Sequence, residues 1–185
     1  MRGLRGRRAR GEGAQAYAQA RLPSTRTSWR EARYCVVDLE LSGLDPRRNE
    51  IVAFGALPID GGRVRLDGAA AGLVRPTAPL TESAIRVHGI RAADLADAPL
   101  IAEALDPLLH AMAGRVLVAH HAAVERGFLR AALRGLANSR DGFCERVRLV
   151  ARDGVLNQPD RDVRSGSHDG RNVHKNWWRR FGRVR

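Results

Sequence analysis

A chain of 185 residues, 44% of them apolar, is long enough for one domain with a real core. The net charge is +12, and the two ends carry it: +7 over residues 1–33, −1 over residues 34–137 and +6 over residues 138–185. No apolar run approaches the ~20 residues of a membrane span, and two cysteines do not make a disulfide framework, which argues against membrane and disulfide-stabilised classes.

The charge pattern divides the chain into three parts. Residues 1–33 are expected to form a basic, disordered N-terminal arm, residues 34–137 the globular domain, and residues 138–185 a basic, irregular tail. Basic ends attract polyanions, most often nucleic acid, but they are equally consistent with solvated tails. Arginine outnumbers lysine 31 to one, as in GC-rich coding, so we expect a cytoplasmic bacterial protein rather than one with an organelle transit peptide.

The first half of the domain predicts three strands. "ARYCVVDLE" indicates a strand, "SGLDPRRNE" a turn and "IVAFGALPI" a second strand. "DGG" at residues 60–62 is typical of a hairpin, and "RVRLDGAAAGLVRP" predicts the third strand. These strands should form an antiparallel meander, followed by a short helix or turn in "TAPLTESAIRVHGI" with Thr81 as its N-cap.

After residue 98 the apolar period becomes helical. A helix over residues 99–113, kinked or divided by Pro107, precedes a short buried strand in "RVLVAH" and a helix in "AAVERGFLRAALRGLA". The pattern predicts an α/β domain with a mixed sheet, a three-strand meander followed by helix–strand–helix, whose C-terminal part is incomplete or irregular. The residues predicted to face the core are Leu100, Ala104, Leu105, Leu108, Leu109, Met112, Val124, Phe128, Leu129, Ala132, Leu133 and Leu136.

Two carboxylates, Asp38 and Glu40, lie at the end of the first strand. Side chains at i and i+2 on a strand point to the same face, so these carboxylates converge and repel unless a cation or proton separates them. Mg²⁺ takes oxygen ligands and is commonly held by one or two carboxylates. A metal site is one interpretation, and local hydrogen bonding at a strand end is the other.

A third acid, Glu125, falls in the first turn of the helix that follows the short buried strand. That position is near the same end of the sheet, although an acid there also favours the helix dipole. His120 and His121 precede it, but no second cluster supports a zinc site.

Three segments of the sequence resemble the motifs of a known enzyme family. "VVDLELSGLDPRRNEIVAFGALPI", "TESAIRVHGI" and "LVAHHAAVERGFL" resemble the first two motifs, and the stretch between them, of the DEDD-type 3′–5′ exonucleases, a group that includes the epsilon subunit of bacterial DNA polymerase III. The resemblance implies a ribonuclease H-like fold and release of nucleoside monophosphates from the 3′ ends of single-stranded DNA, in preference to RNA, in replication or repair. A DNA polymerase is a candidate partner.

The resemblance also implies a site. Two Mg²⁺ or Mn²⁺ ions would be held by acids, with Asp38 bridging both ions, Glu40 on the ion that binds the nucleophile, and Glu125 in place of the family's second-motif Asp. Ser42, Gly43 and Leu44 match the loop beside the terminal nucleotide. His88 matches a residue that lines the substrate groove, and His121 replaces the Asn of the family's strand end.

The family's third motif, a His followed five residues later by Asp, is not found. His168 and His174 are followed at that spacing by Val173 and Arg179. Two interpretations of residues 138–185 stay open: a native tail without the motif, or a foreign sequence that a frame shift or truncation produced. The activity is therefore expected to be impaired. A catalytically inactive nucleic-acid-binding module and a polymerase-associated interaction module of the same fold are the alternatives.

Overall fold

The computed structural model describes residues 11–136 and shows one mixed sheet with helices packed on it. The strands are β1 (Tyr34–Leu41), β2 (Ile51–Asp60), β3 (Arg63–Val64), β4 (Ala70–Leu73) and β5 (Val116–Val118); the helices are α1 (Glu12–Gln19), α2 (Glu82–His88), α3 (Ile101–Met112) and α4 (Ala122–Leu136). The strand order is β3-β2-β1-β5, and β4 also pairs with β2, which confirms the predicted α/β class with a mixed sheet.

The predicted meander is present, but its third strand is interrupted. Gly61 and Gly62 both have positive φ, 57° and 73°, as a tight hairpin turn between β2 and β3 requires. After β3 the chain makes a short 3-10 turn over Leu66–Gly68 and then resumes pairing with β2 as β4. The single predicted strand is therefore two short strands on the same edge of β2.

The direction of β5 decides where the site lies. β5 runs parallel to β1, with Tyr34 opposite Val116 and Val36 opposite Val118, and α4 begins four residues after β5 ends. The carboxyl ends of β1 and β5 therefore lie at the same end of the sheet. In α/β sheets, ligand sites form at the carboxyl ends of the strands.

The main core lies between one face of the sheet and the helices α1, α3 and α4. On β1, alternate residues Cys35, Val37 and Leu39 are buried against these helices, so the intervening residues face the other side of the sheet. On α3, Leu105 and Leu108 are fully buried, and each contributes about 1.5–3 kcal/mol of burial free energy.

Two predictions for α3 need correction. Pro107 does not divide the helix, which runs unbroken from Ile101 to Met112, and the alternative expectation of a kink stays a prediction. The buried residues on both sides of it hold the helix in place, since Leu105 and Leu108 have no exposed surface. Leu100, predicted to face the core, is the N-cap residue instead and is 44% exposed.

The segment before β1 is not the disordered arm that its charge suggested, at least over residues 11–33. α1 packs on α3 and puts Ala14 and Tyr17 into the core. The carboxylate of Asp106 on α3 accepts bonds from the backbone N–H groups of Gly13 and Ala14, both at 3.0 Å. The contact is so close that a Cβ on Gly13 would collide with the backbone carbonyl of Asp106.

Residues 1–10, residues 137–185 and the motifs expected there lie outside the described residues. The missing third motif, His168 and His174 therefore stay sequence-based predictions. Over residues 11–136, no helix has the length and apolarity to cross a membrane.

Candidate active site

Asp38 and Glu40 occupy the face of β1 opposite the main core. Their backbones pair with Gly55 and Ala53 of β2, and both side chains alternate with the buried Val37 and Leu39. The Asp38 side chain is exposed and that of Glu40 is half-buried. The prediction that these two carboxylates share a face at the end of β1 is consistent with this alternation.

Glu125 is the acid that the fold buries. It is only 7% exposed, in the first turn of α4, and its Oε2 atom finds no hydrogen-bond partner among residues 11–136. Burial raises the pKa of this carboxyl, and the nearby negative charge of Asp38 raises it further. The two acids, 87 positions apart in the sequence, are thus electrostatic neighbours.

The orientation of α4 differs from the sequence prediction. Val124, predicted to face inward, is 37% exposed, whereas Glu125 lies in line with the buried Phe128, Leu129 and Leu133. An acid in register with the apolar positions of a helix was the signal that could have identified Glu125 as buried. Val124 therefore belongs to the outer side of the helix.

Two histidines precede Glu125. The rings of His120 and His121 are in edge-to-face contact, with centroids 4.4 Å apart, and both side chains are exposed. The carbonyl of His121 accepts the N–H bonds of Val124 and Glu125, and the His121 ring lowers the pKa of Glu125 slightly against the effect of burial. His121 is therefore a neighbour of the site, whereas the sequence analysis considered it only as a zinc ligand without a supporting cluster and as a substitution.

Ser42 organises the loop that follows β1. It is fully buried, its hydroxyl accepts the Glu50 N–H at 2.9 Å, and its carbonyl accepts the Thr81 hydroxyl at 3.0 Å. Thr81 also caps α2 by accepting the Ala84 N–H, as predicted. These bonds tie both ends of the loop over residues 42–50 to the start of α2. The hydroxyl of Ser42 is thus engaged within the protein.

The remaining substrate-binding candidates differ in accessibility. Leu44 is 83% exposed, and Gly43 is close to Asn49, whose side chain leaves no room for a Cβ. His88 is 3% exposed; its Nδ1 accepts the Ile90 N–H at 2.9 Å, and burial lowers the pKa of its ring. Leu44 is open to solvent, and the expected ligand contacts of both Leu44 and His88 stay predictions.

The acids at this end of the sheet fit a divalent cation only in part. Asp38 and Glu125 repel one another, and the unpartnered Oε2 of Glu125 offers a ligand atom, which is the situation that a cation relieves. Within residues 11–136, however, no three His, Cys, Asp or Glu side chains gather closely enough to hold a metal. Asp38 and Glu125 would be two ligands, with Glu40 on the same strand face as a third candidate.

Curated relatives share this part of the chain. It is 38% identical over 128 residues to a bifunctional exonuclease/endonuclease protein of Mycobacterium tuberculosis, covering 65% of this chain and 19% of the relative. It is 40% identical over 99 residues to a DNA polymerase III subunit epsilon-like protein of Rhodobacter capsulatus, covering 52% of this chain and 14% of the relative. The chain thus spans less than a fifth of the length of either relative.

Solved structures agree on the fold. The Escherichia coli exonuclease I chain of a complex with single-stranded DNA superposes with a TM-score of 0.51 at 13% identity, over 55% of this chain and 23% of that one. A sequence-family model described as RNase_T, exonuclease, matches residues 35–151, which include Asp38, Glu40 and Glu125. By that match, the chain belongs to the RNase_T exonuclease family.

Proposed function

We propose that this chain is a 3′–5′ exonuclease domain that binds the 3′ end of single-stranded DNA and releases nucleoside monophosphates slowly. The observation that carries the proposal is the proximity of Asp38 to the buried carboxylate of Glu125, whose Oε2 has no partner in the described part of the chain, where β1 and β5 have their carboxyl ends. Two acids held together against their own repulsion are suited to cation binding, and burial of a carboxylate oxygen without a partner is otherwise unfavourable.

Exonucleases of this fold generally use divalent metal ions. We propose Mg²⁺ or Mn²⁺, two ions in the complete family site, held here by Asp38, Glu40 and Glu125. When bound, such ions lower the pKa of a water molecule and stabilise the charge on the leaving oxygen. The protein's own contribution is positional: the bonds around Ser42 fix the loop, which leaves Leu44 exposed beside the strand end.

The expected rate is low because the chain lacks a recognisable third motif. In the complete family site the third-motif His would be the general base, which typically contributes about 10²–10⁴-fold to the rate. The third-motif Asp would be a fourth acidic ligand, and without it one ion would keep fewer protein ligands. Binding of the substrate should therefore survive better than turnover. The replication or repair setting, a polymerase partner and a cytoplasmic location are parts of the same proposal.

The test is single-turnover cleavage of a 5′-labelled single-stranded oligonucleotide in Mg²⁺ and in Mn²⁺. We expect a slow ladder shortened from the 3′ end by one nucleotide at a time, absent in EDTA and in Asp38→Asn. Val87→Ala is a matched control, since Val87 is an exposed residue on α2 and its removal should leave cleavage intact. Cleavage that Asp38→Asn retains would overturn the metal assignment.

A second function follows from the incomplete cation site. Because residues 11–136 gather no three-ligand cluster, a nucleic-acid-binding module without hydrolysis is the alternative. Salt-sensitive binding with no metal-dependent cleavage would support it. Absence of both binding and cleavage would favour the third candidate, a polymerase-associated interaction module.

A further inference from the structure

Trp29 is an exposed aromatic residue that the proposed active site does not use. It lies in the segment between α1 and β1 and is 65% exposed. The guanidinium carbon of Arg30 is 4.2 Å from the centre of its ring. An indole with this exposure offers a flat apolar surface to solvent, with a cation already against it.

The backbone around Trp29 is held in place. The Tyr34 hydroxyl donates to the Trp29 carbonyl at 2.9 Å, and Ser28 accepts the Arg30 N–H through its side chain. The carbonyl of Ser28 accepts the N–H groups of Glu31 and Ala32. These bonds fix the turn that presents the ring, so the aromatic surface is attached to the sheet and is not part of a loose tail.

The bond from Tyr34 locates Trp29 relative to the acids. Tyr34, Val36 and Asp38 alternate with buried residues on β1, so all three share one face of the sheet. Tyr34 and Asp38 are four residues apart, about 13 Å at ~3.3 Å per residue. Val36 and its neighbour Val118, which is 39% exposed, form an apolar path between them.

The surface around the ring is positively charged. Over residues 20–33 the structure has four exposed arginines and one acid, Glu31. Arginines neutralise phosphates, and aromatic rings stack on the bases of single strands whatever their sequence. The arginines are Arg21, Arg26, Arg30 and Arg33.

We propose that Trp29 is a distal stacking platform for single-stranded nucleic acid, with Arg30 and its neighbours contacting the phosphates. The proposal rests on the proposed function, because it extends the path of a strand whose 3′ end lies at Asp38. At about 3.4 Å per stacked nucleotide, a 13 Å path corresponds to about four nucleotides. A strand that is not fully stacked covers the same path with fewer nucleotides, so the platform takes internal bases a few nucleotides from the 3′ end and not the terminal base.

The chemistry favours a nucleic acid over a protein partner. An open indole next to several arginines provides both a π-face and counter-charges to a phosphate backbone. A paired duplex keeps its bases stacked internally and offers the indole no π-face. Selectivity for single strands is thus the property that distinguishes stacking from general attraction to a polyanion.

The experiment measures binding in EDTA, so that hydrolysis plays no part. The probes are fluorescein-labelled (dT)12 and a 12-base-pair duplex, and the readout is anisotropy over a series of salt concentrations. Trp29→Ala should weaken (dT)12 binding roughly 5- to 150-fold and leave duplex binding unchanged. The slope of log K against log salt concentration should stay the same. Trp29→Phe should retain part of the affinity, because a smaller ring remains.

Two matched variants separate stacking from charge and from packing. Arg30→Ala should reduce the dependence of log K on log salt by about 0.7, the value of one phosphate contact on a single strand. Leu66→Ala removes another exposed apolar residue, 75% exposed in the 3-10 turn after β3, and should change nothing. An unchanged melting temperature in Trp29→Ala shows that the fold is intact.

The position of the platform is tested by 2-aminopurine placed at successive sites in the oligonucleotide. A Trp29-dependent change in its fluorescence is expected at internal bases a few nucleotides from the 3′ end, and not at the terminal base. The proposal would be overturned if Trp29→Ala and the wild type bound (dT)12 with equal affinity, or if Trp29→Ala lost as much affinity for the duplex as for (dT)12. Loss of (dT)12 binding in Trp29→Ala, with no metal-dependent cleavage by the wild type, would uphold the platform and reject hydrolysis.

Discussion

Glu125→Gln should stabilise the metal-free protein. The Glu125 carboxylate is buried, its Oε2 has no partner in the described part of the chain, and Asp38 repels it. Gln has nearly the same shape but no charge. The substitution therefore removes an unfavourable charge while leaving the packing of α4 unchanged, although it should abolish any role in catalysis.

The expected gain is about 1 kcal/mol. A buried polar group without a partner costs about 1–3 kcal/mol, and the low end applies because the carboxamide of Gln is polar too. For a domain of this size 1 kcal/mol corresponds to a rise of about 3–5 °C in Tm. Asp38→Asn should give a smaller gain, since the Asp38 side chain is exposed and water screens its charge.

The raised pKa of Glu125 determines how its contribution to stability changes with pH. Between the ordinary value of 4.5 and the higher folded value, the folded state binds more protons than the unfolded state. The contribution of Glu125 to the free energy of unfolding therefore falls as pH rises through this window. The advantage of Glu125→Gln over the wild type should be largest at pH 8 and should vanish below about pH 4.

The assay is thermal unfolding in EDTA at several pH values, with Asp38→Asn and the double variant alongside. The sum of the stability gains of the two single variants should exceed the gain of the double variant, because the mutual repulsion can be removed only once. Excess Mg²⁺ should then stabilise the wild type more than Glu125→Gln. A lower or unchanged Tm for Glu125→Gln at pH 8 in EDTA would refute the reasoning, and with it the main support for the cation site.

Three further outcomes are expected. Asp106→Ala should cost about 1–2 kcal/mol and speed amide exchange in α1, because both capping bonds are lost, whereas Asp106→Asn keeps one acceptor and should lose less. Thr81→Val should lower the free energy of unfolding in urea by about 1 kcal/mol through loss of the α2 cap; an unchanged midpoint would contradict this. In a Cys144→Ser chain, Cys35 should react with a thiol reagent at pH 8 only after unfolding, since burial raises its pKa to about 11; rapid reaction of the folded protein would count against a buried strand.

Local pattern was enough to predict the sheet and most of its order. β1, β2 and β5 each have a run of apolar residues with a clear turn signal beside it, and "DGG" defined the hairpin. The break between β3 and β4 was missed because Leu66 and Asp67 preserve the alternation of a strand while the backbone makes a 3-10 turn. Pairing with β2 resumes after the turn, which alternation alone does not show.

Contacts between residues that are far apart in the sequence could not be predicted from local sequence patterns. α1 is short and rich in Ala and Gln, and the group that caps it, Asp106, is 93 residues away from Gly13 in the sequence. In the same way, the position of Glu125 in the first turn of α4 indicated a favourable interaction with the helix dipole. The burial of Glu125 depends instead on which face α4 turns towards the sheet. The acids were identified from the sequence, but their relation to one another required the fold.

The position of α1 has a practical consequence for defining the domain. The family match begins at residue 35, yet Ala14 and Tyr17 belong to the same core as Leu105 and Leu108. A fragment cut at the family boundary would keep Asp38, Glu40 and Glu125 and would still leave a strip of α3 open to water. The smallest independently folding unit should therefore start near Gly11, and an inactive shorter fragment would report a damaged core rather than a defective catalyst.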